Sequence, residues 1–194
     1  MPRSGLNTQA VVDAAARLAD AQGLERMTLK QLAAELKVRP PSLFSHVHGS
    51  ADLRRQLQLR ALRLMAARVG RAAIGRAGDD AVIAAATAMR DFAREHPGLY
   101  PASLQAPPSD DAELTAAAEQ FTSIFFDAIR QYGFDGSQAV HAVRGLFSTV
   151  HGFIMLERAG TFDMPIEVDE SFRWLLQRYV TTLHGTASQT GAHQ

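Results

Sequence analysis

The chain has no cysteine among its 194 residues. Disulfide frameworks, thiolate metal sites, Cys nucleophiles and thiol redox chemistry are therefore excluded, and an intracellular setting is the default. Aromatic residues are sparse, with a single Trp and three Tyr. No opening stretch pairs basic residues with an apolar core of signal-peptide length, and no later run approaches the ~20 uninterrupted apolar residues that span a bilayer. A soluble, cytoplasmic protein with no membrane partner is expected. Catalytic signatures are missing too. The chain has no Glu-x-x-His pair for a carboxylate-bridged metal, no His-Glu-x-x-His, no Gly-rich phosphate loop and no Gly-x-Ser-x-Gly. Neither enzymatic activity nor a metal or cofactor is expected.

Net charge is also absent, since 20 Lys/Arg balance 20 Asp/Glu. That balance conceals an asymmetry. Residues 1–76 hold 13 Lys/Arg against 5 acids, a net of +8, and the remainder nets −8. A basic segment joined to an acidic one suits a polyanion-binding module attached to a body that does not itself adhere to polyanions. Solvated faces of basic helices explain the same asymmetry equally well, because charge speaks to binding tendency and not to fold.

What the chain does have is Ala and Leu in quantity, with apolar residues recurring at three and four. That is the period of helices, and an all-α chain without strands is expected. At 46% hydrophobic residues it can bury one substantial core or two small ones. A first helix over about 8–22 is capped by Asn7 or Thr8, turns Val11, Ala15, Leu18 and Ala19 to one face, and stops at Gly23. Thr28-Leu-Lys-Gln31 fits a capping box and opens a short helix to about Leu36, with Leu29, Leu32 and Ala33 inward. After the tight connection Lys37-Val38-Arg39, Pro40-Pro41 starts a third, very short helix through Val47, and Gly49-Ser50 precedes a long fourth over about 51–74. Gly70, Gly75 and Gly78 with Asp79 and Asp80 mark a domain boundary. Residues 1–50, followed by the connecting helix 51–74, form an N-terminal three-helix domain, and 75–194 a second helical domain. Its helices are expected over about 80–95, 110–132, 136–159 and 168–184, punctuated by His96-Pro97-Gly98, Pro101, Pro107-Pro108, Gly133 and the 160–165 segment. After Gly185 a small, polar tail is expected to fray.

Two short helices joined by a three- or four-residue turn and braced by a preceding helix describe a DNA-binding helix-turn-helix. The outward residues of its second helix, Pro41, Ser42, Ser45 and His46, are small, polar or hydrogen-bonding, which suits a major groove about 12 Å wide. Lys37 and Arg39 stand at its mouth, and Leu43 and Val47 face inward. Helix starts near Thr8, Thr28 and Ser50 offer unsatisfied N–H groups and a hydroxyl to phosphates. Phe44 is divided between core packing and contact with DNA backbone or a thymine methyl. His46 and His48 are not a metal pair, because residues i and i+2 on a helix point to different sides. Arg54, Arg55, Arg60 and Arg63 on the fourth helix read as a solvated face whose field assists association.

The run Thr28-Leu-Lys-Gln-Leu-Ala-Ala-Glu-Leu-Lys-Val-Arg-Pro-Pro-Ser-Leu-Phe-Ser-His-Val47, followed by Asp52-Leu53, resembles the helix-turn-helix signature of the tetracycline-repressor (TetR) family over about residues 6–62. The resemblance places Thr28, Pro41, Ser42, Phe44 and His46 at DNA-contacting positions. Two residues depart from the pattern. The family usually has Tyr where Phe44 stands and Lys where Ser50 stands, so a phosphate hydroxyl and a cation are lost, which implies weaker or more salt-sensitive binding. The C-terminal half resembles a TetR subgroup marked by a His-Gly pair late in the penultimate long helix, here His151-Gly152 within Arg144-Gly-Leu-Phe-Ser-Thr-Val-His-Gly-Phe153, followed by Leu156-Glu157 and Gly160-Thr-Phe162. The usual Trp of that mark is not present near His151. His96-Pro-Gly-Leu-Tyr100 is similar to the turn after the fifth helix of such domains.

Independently of resemblance, the last two helices are apolar on more than one face. Val140, Val143, Phe147, Val150 and Ile154 share one side, Leu146, Phe153 and Met155 lie elsewhere, and Phe172, Leu175, Leu176, Tyr179, Val180 and Leu183 follow. Helices this apolar call for burial on two sides, as in a bundle shared by a homodimer. Two-fold symmetry presents two recognition helices to a palindromic operator in double-stranded DNA, and the family resemblance implies the same dimer. Phe92, His96, Tyr100, Phe121, Phe125, Phe126, Phe147, His151, Met155 and Trp174 gather aromatics with a few polar tips, a composition suited to a small, mostly apolar effector, though aromatics at helical spacing are ordinarily core. His151 beside Gly152 sets a polar group next to space inside a helix. The expected function is a ligand-responsive repressor. Its alternatives are a helical protein-interaction module, which explains the helices but not the basic half, and a DNA-binding activator without an effector.

Overall fold

The computed structural model describes residues 6–190, with side chains to residue 184. Its long elements are α1 (Thr8–Gln22), α2 (Leu29–Glu35), α3 (Gly49–Ala73), α4 (Gly78–Glu95), α5 (Leu99–Ser103), α6 (Ala112–Arg130), α7 (Gly136–Arg158) and α8 (Val168–Thr190), with 3-10 turns at Leu24–Arg26 and Pro40–Ser45. No strand occurs among the described residues. The all-α reading holds, with three local differences. The third helix of the N-terminal region is a six-residue 3-10 turn ending at Ser45 rather than a helix through Val47, because Pro40 and Pro41 supply no N–H donors and the segment is too short to propagate an α ladder. A five-residue α5 appears where Pro101 read as punctuation. Proline at the third helical position removes an N–H that has no intrahelical acceptor there. The helix of residue 168 continues to Thr190 instead of ending near 184, and the end of the expected fraying tail, 191–194, lies outside the described residues.

The helices form two compact units, Met1–Met65 with Phe92–Ala118, and Ala66–Asp91 with Glu119–Gln194. The expected cut near Gly78 does not trace this division, since α3, α4 and α6 each contribute residues to both units. In the first unit, Val11, Ala15 and Ala19 of α1, Leu32 and Ala33 of α2, and Leu43, Val47, Leu53 and Leu57 are buried, together with Phe92, Leu99, Tyr100 and Leu114 from the returning segment. Each large side chain in such a core stabilises by about 2 kcal/mol relative to exposure.

The second unit buries Val82 and Met89 of α4, Phe121, Phe125 and Ile129 of α6, Val143, Leu146, Val150 and Ile154 of α7, and Phe172, Leu176 and Val180 of α8. α7 and α8 run antiparallel, pinned where the Tyr179 hydroxyl donates to the Ala142 carbonyl at 2.5 Å. Gly145 makes room for that ring, since a Cβ there would meet the Tyr179 hydroxyl at 3.1 Å. By length and mean hydropathy (1.3) α7 is apolar enough to cross a membrane, and 28% of its most apolar stretch is buried. His141 and Arg144 lie exposed on it, so its outer surface is mixed rather than lipid-like.

Among the described residues, one charged side chain is buried in this unit. Arg90, 3% exposed, reaches Glu157 through two bonds at 2.8 and 2.6 Å and Asp169 at 2.8 Å. Its guanidinium carbon lies 5.2 Å from the Phe153 ring centre and 4.5 Å from that of Phe172. A buried cation is tolerated when carboxylates and aromatic faces replace its water. The cluster therefore ties α4 to the end of α7 and the start of α8. Arg90→Met removes the buried cation that Glu157 and Asp169 share, so the variant is expected to lose about 3 kcal/mol of stability in denaturant unfolding.

Candidate nucleic-acid interface

The N-terminal helix-turn-helix is assembled by local bonds that its sequence encodes. Asn7 caps α1 by accepting from the Ala10 amide at 2.8 Å. Thr28 and Gln31 close the capping box of α2 in both directions. Lys37 adopts φ 55°, the only positive φ at a non-glycine residue among the described residues. This left-handed step turns the chain sharply after α2, where the Lys37 and Val38 amides donate back to Ala34 and Ala33 at 3.1 and 3.0 Å. Arg39 then precedes the proline pair, and its carbonyl accepts from the Ser42 amide.

Leu43 and Val47 are fully buried and anchor the recognition turn. Pro41, Ser42 and Ser45 are exposed, His46 is half-buried, and Phe44 is 52% exposed. The division at Phe44 is thus resolved toward the surface. The Thr8 hydroxyl donates to the His46 carbonyl at 3.3 Å, joining the start of α1 to the end of the recognition turn. Ser50 is exposed in the first turn of α3, where the Asp52 carboxylate accepts from the His48 amide at 2.8 Å.

Arg54, Arg55, Arg60 and Arg63 of α3 each face a carboxylate rather than solvent alone. Arg55 bonds Asp111 at 2.5 and 2.9 Å and Glu113 at 2.9 Å, Arg63 shares Glu113 at 2.9 Å, Arg60 meets Asp13 at 2.5 Å, and Arg54 faces Glu25 at 3.6 Å. Carboxylates distant in sequence offset these cations. Arg17, Arg26, Lys30, Lys37 and Arg39 are exposed with no ion-pair partner among the described residues. Among the described residues, the unpaired cations of the first unit therefore lie on α1, the turn at Leu24–Arg26, α2 and the connection that follows it, where Lys37 and Arg39 directly precede Pro40–Ser45.

Asp20 at the end of α1 is a residue that sequence reasoning missed. Its carboxylate accepts from the amides of Gly98 and Leu99 at 2.8 and 3.1 Å and lies 2.9 Å from His96 Nδ1. Gly98 packs so closely that a Cβ there would stand 2.1 Å from the Ala19 carbonyl oxygen. No local signal links residues so far apart; an acid near a helix C-terminus, against the helix dipole, is the only hint. His96, a candidate effector residue, thus has one ring nitrogen engaged with Asp20 and its ring 4.9 Å from Phe92.

The remaining candidate effector residues are dispersed. Phe92 and Tyr100 are buried in the first unit. Phe121, Phe125 and Phe147 form one ring cluster in the second, with centroids 4.8–5.6 Å apart. Phe126 and His151 are half-buried there. Met155 and Trp174 are exposed, Trp174 lying against Arg178.

A helix-turn-helix with an outward recognition turn, carried on an all-helical body, defines a DNA-binding transcriptional regulator. A family model described as tetracyclin repressor-like, C-terminal domain, matches residues 82–179. The chain is 36% identical over 190 residues to the HTH-type transcriptional regulator Rv0681 of Mycobacterium tuberculosis, covering 94% of this chain and 87% of that one. Among solved structures it is similar to Mycobacterium smegmatis BioQ with its natural double-stranded DNA operator (25% identity, TM-score 0.66, 92% of this chain and 98% of that one). It also shares its fold with the Q116A variant of TetR from Acinetobacter baumannii in complex with minocycline (20% identity, TM-score 0.71, 94% and 98%). The chain belongs to the TetR family of transcriptional regulators.

Hydrogen bonds from Arg55 hold the Asp111 and Glu113 carboxyls below the usual carboxylate range. Carboxylates with a lowered folded pKa contribute stability above their unfolded value of about 4 and lose it as pH falls through the folded one. Arg55→Ala is therefore expected to lower the melting temperature at pH 7, and the gap from the parent protein to narrow as pH drops below about 4. Thermal melts across pH 7 to 2.5 on the order of half-unit steps check this.

Proposed function

We propose that this chain is a repressor that binds a palindromic operator as a homodimer and is released by a small, largely apolar effector. The observation that carries the DNA half of the reading is the recognition turn. Leu43 and Val47 bury its inner side, so Pro41, Ser42, Phe44, Ser45 and His46 are held toward a groove while Lys37 and Arg39 flank them. Thr8, Thr28 and Ser50 stand at the starts of helices, where amide donors suit phosphates. The operator complex of BioQ supports this use of the fold.

The dimer half is supported by α7, whose most apolar stretch is only 28% buried and on which Met155 and Leu156 are exposed, with Trp174 exposed on α8. The effector half is supported by the ring cluster of Phe121, Phe125 and Phe147 with half-buried His151 near it in sequence, and by the minocycline complex of the Acinetobacter neighbour. α4 runs unbroken from Gly78 to Glu95 and ends beside the turn that Asp20 grips, which makes it a covalent route by which a shift in the body reaches the DNA-binding unit. Linkage then requires operator to weaken effector binding by the factor with which effector weakens operator binding.

Selection of bound sequences from a random DNA pool tests the reading. A single palindrome is expected to enrich with the parent protein and to be lost with the Arg39→Ala/His46→Ala double variant; no enrichment at low salt overturns the DNA-binding proposal. On the selected operator, Ser50→Lys adds one cation at the start of α3. It is expected to tighten binding and to steepen the plot of log affinity against log salt by about 0.9 for each half-site.

A further inference from the structure

Helix α2 ends in a Schellman motif. The Lys37 amide donates to the Ala34 carbonyl at 3.1 Å and the Val38 amide to that of Ala33 at 3.0 Å, the crossed bonds that close a helix when the residue after its C-cap turns left-handed. That residue is Lys37, at φ 55°. Glycine is the usual occupant of the position, because a Cβ in left-handed backbone crowds the following carbonyl oxygen, and Asn follows because its short polar side chain bonds locally. Elsewhere among the described residues every positive φ belongs to a glycine, Gly23 and Gly49 of the same unit included. Lysine at this place strains a backbone that glycine leaves relaxed.

Contacts among the described residues do not account for the choice. Lys37 is exposed, and among those residues its side chain makes neither an ion pair nor a hydrogen bond. Arg54, Arg55, Arg60 and Arg63 of the same unit each face a carboxylate instead. Arg39, the next cation along the chain, sits in extended backbone at φ −77° and ψ 143°, where any side chain is relaxed. Among the described residues, Lys37 therefore alone joins a left-handed, side-chain-bearing backbone to an unpaired charge, and it does so just ahead of the turn at Pro40–Ser45. Strained residues gather where a protein binds or acts.

We propose that Lys37 binds a backbone phosphate of DNA, and that the chain keeps a strained lysine at the end of α2 for that contact. This deepens the DNA-binding reading above and rests on it. An ammonium on a flexible stem is a point charge with three rotatable donors and no fixed fork, which fits one phosphate oxygen without the orientation that a base edge demands. Lys37 also precedes the recognition turn and is not part of it, so the positions that face bases remain those of the turn. A phosphate contact carries no sequence information. Stability and DNA affinity are consequently opposed at this residue, since the glycine that relieves the strain also removes the charge.

Two substitutions in the full-length chain separate the effects. Lys37→Gly removes strain and charge together, and Lys37→Arg keeps both. Melting temperature is followed by circular dichroism, and affinity is measured across a salt series for the selected operator and for a scrambled duplex of the same length. Lys37→Gly is expected to melt about 3 °C above the parent protein. It is expected to bind both duplexes several-fold more weakly, with the plot of log affinity against log salt flattened by about 0.9 for each half-site. Lys37→Arg is expected to melt with the parent and to restore both affinity and slope. A rise in melting temperature with affinity and slope unchanged shows a lysine that DNA does not meet, which overturns the inference and leaves the DNA-binding reading standing. Loss confined to the operator assigns a base contact and overturns it as well. A melting temperature that does not rise shows an unstrained lysine and overturns it too, while a parent protein that selects no operator removes the reading and the inference together.

Discussion

Where α1 ends, the backbone of Gly98 comes close enough to Ala19 to exclude any side chain, and the Asp20 carboxylate takes the amides of Gly98 and Leu99. Those amides open a short helix whose first donors have no intrahelical acceptors, so the carboxylate satisfies groups that α5 cannot satisfy itself. The contact fastens a segment near the middle of the chain onto its first helix. Phe92, Leu99, Tyr100 and Leu114 consequently complete the core under the helix-turn-helix. The recognition turn is only six residues long, far below the length at which an isolated helix persists in water. Its geometry depends on this borrowed core.

The same returning segment alters the electrostatics of DNA binding. Asp111 and Glu113 accept Arg55 and Arg63, while Asp13 and Glu25 face Arg60 and Arg54. A charge count made along the chain spreads the positive excess over the whole basic half. Folding leaves Lys30, Lys37 and Arg39 exposed without an ion-pair partner among the described residues, on α2 and the turn that follows it. The more exposed of these pairs, those of Arg54 and Arg63, add little stability, but each pair offsets a cation, and that bears on where a polyanion settles.

In the second unit a buried cation plays the organising part. Arg90 draws Glu157 and Asp169 together across the α7–α8 connection, and the rings of Phe153 and Phe172 enclose its guanidinium. Phe162 stacks on that assembly, so an interior ion pair fixes the shape of an exterior loop. The outward apolar residues of the loop and of α7 are a surplus that this unit does not bury for itself.

The residues by themselves determined the helical class, the ends of α1 and α2, the capping box at Thr28 and the inward turn of Leu43 and Val47. All of these follow from spacing and from bonds between near neighbours. The family signature was legible for the same reason, since a helix-turn-helix is a local pattern. The helical character of 99–103, the exposure of Phe44, the partners of the α3 arginines and the grip of Asp20 on Gly98 were not legible. Each depends on a group dozens of residues away, and an arginine in isolation carries no mark of whether it meets water, phosphate or a distant carboxylate. The tertiary structure decided those questions, because burial and ion pairing are set by which segments return to one another and not by the order of residues along any one of them.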